Sequence, residues 1–266
     1  MKASLGKPVE YVMPLGDHEV AMNPCLGKRL RLKYEGAIHC VECGRKTSKS
    51  FNQGFCYPCF KSLAKCDSCI VSPEKCHYAA GTCREPEWGE QHCMMDHYVY
   101  LANTSGMKVG ITRGTQIPTR WIDQGAIQAL PMLRVSSRLQ SGLVEVAFKP
   151  HVADKTNWRA MLKGSAAEED LIQVRRDLLD ACQPALERLQ NEHGLESISV
   201  LEESEVTLIE YPVLEHPTKV ASFNLDKTPV VEGVLMGIKG QYLMLDSGVI
   251  NVRKYAGYQL SLQLCE

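Results

Sequence analysis

Nine of the chain's twelve cysteines fall within residues 40–93. No other feature of the 266 residues narrows the fold as much. A segment that short builds little core of its own, and thiols repeated through it act as staples. Cys-x-x-Cys pairs in a chain with no sign of export favour metal over disulfides. Cys40-Val41-Glu42-Cys43 and Cys56-Tyr57-Pro58-Cys59 are two such knuckles, twelve residues apart. Each aims two sulfurs at one ion and leaves turn amides to hydrogen-bond those sulfurs. Cys40, Cys43, Cys56 and Cys59 are therefore expected to close a tetrahedral, structural Zn²⁺ site in a zinc-ribbon-like module, with no open position for catalysis. Between the knuckles, Arg45, Lys46, Lys49, Phe51 and Gln53 could touch a phosphate backbone.

A third knuckle, Cys66-Asp67-Ser68-Cys69, is followed by Cys76, His77, Cys83, His92, Cys93 and His97. A second structural Zn²⁺ is expected here, with Cys66, Cys69, Cys76, Cys83 and Cys93 as candidate ligands. An iron–sulfur cluster on Cys66, Cys69, Cys76 and Cys83 is the alternative, because four-cysteine sets bind both. Arg84-Glu85-Pro86-Glu87-Trp88-Gly89 reads as a packed connection rather than a site.

No run of 18 apolar residues is present and the first twelve residues lack an apolar signal core, so a cytoplasmic protein with no membrane span is expected. The formal net charge of -1 hides an asymmetry. Residues 1–65 carry eleven Lys or Arg against five Asp or Glu, a net +6, whereas Glu202, Glu203, Glu205 and Glu210 crowd together later. A basic end suits a polyanionic partner.

Residues 11–13 and 30–34 alternate as strands of an N-terminal β segment, 1–38, leading into the cysteine-rich module, 39–96. Residues 98–102 and 107–112 read as a hairpin across the turn Asn103-Thr104-Ser105-Gly106. A short helix from Pro118, a strand at 129–135, and a helix capped by Ser136 or Ser137 with Leu139, Leu143, Val146 and Ala147 as its apolar face complete a core over 97–163. Residues 164–215 form a helical brace, spanning 166–192 with a kink at Pro184, plus two strands. Residues 216–266 show short strands with glycine turns, the pattern of a small β-barrel-like domain. The class is α+β: a small mixed sheet with flanking helices between the zinc-ribbon-like and barrel-like parts.

Within 97–163, Val99-Tyr100, then Lys108-Val109-Gly110, Arg120, Glu145 and Asn157 stand in an order and type that resembles the GIY-YIG nuclease superfamily. Lys108 is similar to a variant subgroup reading KIG, and the twelve-residue step from Glu145 to Asn157 resembles excision-repair members. The resemblance covers about 65 of 266 residues. The whole chain also resembles a bacterial family of unassigned function, through Gly-Thr-Cys-Arg-Glu-Pro (from Gly81) and Thr-Arg-Trp-Ile-Asp-Gln-Gly (from Thr119).

The resemblance implies a metal-dependent, structure-selective DNA endonuclease. Tyr100 and Lys108 would prepare the attacking water, Arg120 would neutralise the phosphate, Glu145 would hold Mg²⁺ or Mn²⁺, and Asn157 would steady the site. Each has a plainer reading. Tyr100 packs in a hairpin, Arg120 pairs with Asp123, Glu145 pairs with Lys149, and Asn157 caps a helix. Arg113 competes with Arg120, Tyr98 with Tyr100, and His97 and His151 are alternative bases. The rival functions are a nucleic-acid-binding protein that does not cleave, DNA being favoured over RNA, and a zinc-stapled protein-interaction module.

Overall fold

The computed structural model describes residues 1–152 and 156–265. Strands β1 (Lys2–Ser4), β2 (Glu10–Leu15) and β3 (His18–Ala21) form a three-stranded antiparallel sheet, and β4 (Arg29–His39) follows. The cysteine-rich region holds β5 (Lys46–Thr47), α1 (Tyr57–Ser62), several 3-10 turns and α2 (Pro86–His92). Then come β6 (His97–Asn103), β7 (Met107–Arg113), α3 (Thr119–Asp123), β8 (Gln128–Val135), α4 (Arg138–Phe148), α5 (Trp158–Leu162) and the long α6 (Leu171–His193). The chain continues through β9 (Ile198–Val200), β10 (Thr207–Leu208), β11 (Val230–Lys239), β12 (Tyr242–Leu245), β13 (Gly248–Asn251) and β14 (Tyr258–Cys265).

The central sheet has the order β10-β8-β6-β7, with β9 also on β8. Every one of its pairs is antiparallel, where the sequence reading expected a mixed sheet. The hairpin register sets Tyr100 opposite Gly110 and leaves β7 as an edge. Successive side chains of a strand point to opposite faces, and β6 uses both. Val99 and Leu101 pack with Val144, Phe148 and Leu178 of the covering helices. Tyr100 and Ala102 pack the other way, with Trp121, Ile122, Leu235 and Ile238.

That second core is shared with a half-barrel of order β13-β12-β11-β4-β14, with β5 on β4. Leu32 of β4 faces Val231 on one side and Leu262 on the other. Segments 1–38 and 216–266, read as separate from the sequence, therefore share one sheet. Local signals behave as expected elsewhere. Ser137 caps α4 by accepting from the Gln140 amide at 3.3 Å. The long helix starts at Leu171, not at residue 166, because Asp170 caps it by accepting from the Gln173 amide at 3.0 Å; it runs on through Pro184.

The apolar face expected for α4 holds only in part: Ala147 packs against the core, but Val144 and Phe148 carry the buried face. Gln140, Ser141, Val144 and Phe148 are buried and Val146 is exposed. The helix is wedged between the sheet, α6 and the 3-10 turn Pro73–Lys75. Its inward polar groups are satisfied locally: Ser141 Oγ donates to the Arg138 carbonyl at 2.7 Å and Ser136 Oγ donates to Gln140 Oε1 at 2.9 Å. Among the described residues, no helix is long and apolar enough to cross a membrane.

Candidate functional site

The first two knuckles meet as the spacing requires. The Cys40, Cys43, Cys56 and Cys59 sulfurs all lie within 4.8 Å of one another, with Cys43 and Cys56 at 3.7 Å. Four sulfurs about 2.3 Å from one tetrahedral ion stand about 3.8 Å apart. The set could thus hold a structural ion such as zinc. Burial opposes ionising Cys40, but backbone hydrogen bonds from Cys43, Cys56 and Glu42 prevail and bring its thiol down to about 6. Asn52 and Gln53 take left-handed φ angles of 41° and 63°, which turn the chain tightly between the knuckles. Arg45, Lys46 and Lys49 remain exposed.

A cleft of about 480 Å³ runs along the open edge of β7. Asn52 and Gln53 of the first cysteine module and Ile70, Val71 and Pro73 of the second form one side. Arg120 and Gln124 of α3, Arg138 and Glu145 of α4, and Arg253 complete it around residues 108–113 of β7. Lys108, Arg120 and Glu145 thus share one cavity, together with Arg113.

Tyr100 lies fully buried behind that floor. A Cβ on Gly110 would sit 2.6 Å from Tyr100 Oη, so only glycine leaves the ring its place. Gln124 Nε2 donates to Tyr100 Oη at 2.8 Å. Burial raises the phenol's pKa, and the nearby Arg120 guanidinium and Gln124 offset it only in part; the Glu145 carboxylate adds to the rise. Arg120, not Lys108, is therefore the cation that bears most on the phenol.

The plain pairing for Arg120 does not form, because Asp123 is taken from across the molecule by Arg253 and by Gln241 Nε2, the latter at 2.7 Å. Asn157 corrects the expectation. It is exposed, caps α5 by accepting from the Ala160 amide at 3.2 Å, and does not line the cleft. The loop leading to it includes residues 153–155, outside the described residues. The alternative bases are also elsewhere. His97 is buried with Nδ1 on the Met95 carbonyl at 2.8 Å, and burial lowers its pKa to about 4. His151 is exposed.

Sequence reasoning missed Arg138 and Arg253. Arg253 carries no local signal, since its partner Asp123 is far along the chain. Arg138 does carry one: a cation in the first turn of a helix opposes the dipole, which marks a tertiary purpose. Its guanidinium donates to the Ile70 carbonyl at 2.5 Å, while its Nε and Gln124 Oε1 are buried with no partner among the described residues.

Cys69, Cys76, Cys83 and Cys93 line a second, small cavity. Cys66 does not; it lies buried towards Asn52 and Cys40, so it leaves the expected second ligand set. Asp67, Cys69 and His77 also come within 4.8 Å of one another, but Arg84 Nε holds the Asp67 carboxylate at 2.6 Å. Arg84 further donates to the carbonyls of Phe60 and Leu63, and Glu85 accepts from the Ala64 amide at 2.6 Å. Arg84 and Glu85 make the packed connection the sequence suggested, whereas residues 86–89 open α2 and bring Trp88 and Gly89 to the small cavity.

A family model described as "Protein of unknown function (DUF2797)" matches residues 27–260, from just before β4 into β14, and the chain belongs to that family. No curated protein and no solved structure matches it.

Proposed function

We propose that this member of the DUF2797 family is a GIY-YIG-type, metal-dependent endonuclease that hydrolyses phosphodiesters in DNA, with branched structures as its preferred substrates. One observation carries the reading: Glu145 lines a single cleft with Lys108, Arg113, Arg120 and Arg138, in front of the Tyr100 phenol. Cations in that number suit a phosphate backbone and make binding salt-dependent. A single carboxylate with waters and substrate oxygens is a usual way to hold Mg²⁺ or Mn²⁺, so Glu145 fits as the protein ligand. An ion held there would supply charge to the phosphoryl oxygens and acidify a water.

The chain's own groups have separable roles. Arg120 would face the scissile phosphate and offset charge that grows in the transition state. Lys108 and Arg113 would fix the backbone on either side. Because burial keeps Tyr100 a neutral phenol behind the cleft floor, its role would be to position Gln124, which lines the cleft, rather than to act as a phenolate base. The second reading, binding without cleavage, is favoured by that same neutral phenol and by Lys108 standing where the resembled family has its second Tyr.

The test is incubation of wild type and Glu145→Ala with labelled branched and linear DNA and Mg²⁺. Wild type should cleave, and the substitution should lower cleavage by about 100-fold or more while salt-dependent binding stays. Binding without product from wild type would leave the second reading. Equal cleavage by both proteins would remove Glu145 from the mechanism.

A further inference from the structure

We propose that Cys69, Cys76, Cys83 and Cys93 hold a [4Fe–4S] cluster rather than a second zinc. The assignment is independent of the nuclease reading. Four thiols from separate stretches face one cavity: the 3-10 turn Ser68–Ile70, the chain after Pro73–Lys75, the approach to α2 and the end of α2. All four are free rather than disulfide-bonded, and Cys93 is buried.

Spacing separates the two metals. Sulfurs closing on one ion must come within about 3.8 Å of one another, as the first module does. Among the described residues, the groups of three or more ligand atoms mutually within 4.8 Å are Cys40 with Cys43, Cys56 and Cys59, and Asp67 with Cys69 and His77. No three of the four cavity thiols form such a group. In a four-iron cluster each thiolate binds a different corner of the cube, so a wider set is what the cofactor requires.

The space between the sulfurs agrees. The four thiols line an open void rather than closing on a point. A zinc at about 2.3 Å from four sulfurs leaves no such space at its centre. Apart from Asp67 and His77, the remaining lining is Ala64, Ile70, Tyr78, Trp88 and Gly89, chiefly apolar or aromatic shelter of the kind that tunes a cluster's potential. On Gly89 a Cβ would meet the Tyr78 ring at 3.2 Å and Cys83 Sγ at 3.5 Å, so even one methyl would crowd this wall. Arg138 and Arg113 lie close enough to act electrostatically on Cys93, and would offset the negative charge of a thiolate-bound cluster. Asp67, bound to Arg84, and His77, whose Nδ1 meets Thr82 Oγ1 at 2.8 Å, have partners outside the four-sulfur set.

The decisive measurement is the metal and acid-labile sulfide content of the full chain, expressed with iron and purified without oxygen. Brown protein with about four iron and four sulfide per chain is expected, beside about one zinc. Cys76→Ser and Cys93→Ser should each strip the iron and the visible absorbance while the zinc remains. Colourless protein with about two zinc and no sulfide would overturn the assignment, as would a chromophore that persists when all four cysteines are replaced by Ser. The wild-type stoichiometry decides the matter even if a variant fails to fold.

Discussion

The two cysteine modules are built from the same donor and differ in how tightly it is gathered. In the first, two knuckles draw four sulfurs to the edge length of a single-ion tetrahedron, with Cys43 and Cys56 at 3.7 Å. In the second, four sulfurs from dispersed turns surround a void. The difference teaches that four thiols alone do not define a single-ion site; their separation does. Both modules nonetheless abut the same cleft, the first through Asn52 and Gln53 and the second through Ile70, Val71 and Pro73.

Three experiments would break or sharpen that contrast. The largest effect belongs to the first module. Cys56→Ser should release its ion and open residues 40–63 to hydrogen exchange while the second module stays protected, because structural zinc contributes apparent energies on the order of 10 kcal/mol. Equal protection of both modules after the change would mean that they do not depend on separate ions.

The next effect is a pH dependence beside the second module. His97 has its folded pKa lowered to about 4, by burial first, with the neighbouring Arg138 and Arg113 adding to it. Below its ordinary value near 6.5 the unfolded chain takes up a proton that the folded chain refuses. Stability should therefore be complete above about pH 6.5 and decline as pH falls towards 4, by about 3 kcal/mol in all. Denaturant melts across that window check it, and His97→Leu should flatten the slope.

The smallest effect is at the contact between the second module and α4. A Cβ at Gly142 would stand 2.5 Å from the Glu74 backbone nitrogen. Gly142→Leu should cost about 1–3 kcal/mol, seen as a lower Tm. It should also loosen residues 66–93 more than residues 40–63; uniform loosening would erase the distinction between the modules.

What could be read from residue order alone was local. The Asn103-Thr104-Ser105-Gly106 turn between alternating strands gave the β6–β7 hairpin, Ser137 gave a helix start, and paired knuckles gave the four-sulfur group that could hold an ion. Lys108, Arg120 and Glu145, singled out through their order, line one cleft, whereas Tyr100 lies buried behind it. What was hidden depended on distant partners. Val144 and Phe148 replace part of the apolar face read for α4 because three different elements press on that helix. Cys66 turns towards the first module although its knuckle partner Cys69 faces the second. Asn157 matched by spacing, yet a helix end needed its side chain. Arg253 became visible only when the cleft closed around it, whereas Arg138 left a trace as a cation in the first turn of α4.

The placement of β4 has a further consequence. Leu30 and Leu32 emerge early from the ribosome, but both of their neighbours, β11 and β14, lie about 200 or more residues downstream. At roughly 5–20 residues per second that is a wait of about 10–40 s. During it, the strands of the central sheet emerge, while residues 29–34 of β4 stay unpaired and prone to adhere to other chains. A release of the nascent chain short of its last strand would leave that early segment without one of its two partners, and such fragments should be cleared or aggregate rather than persist half-built.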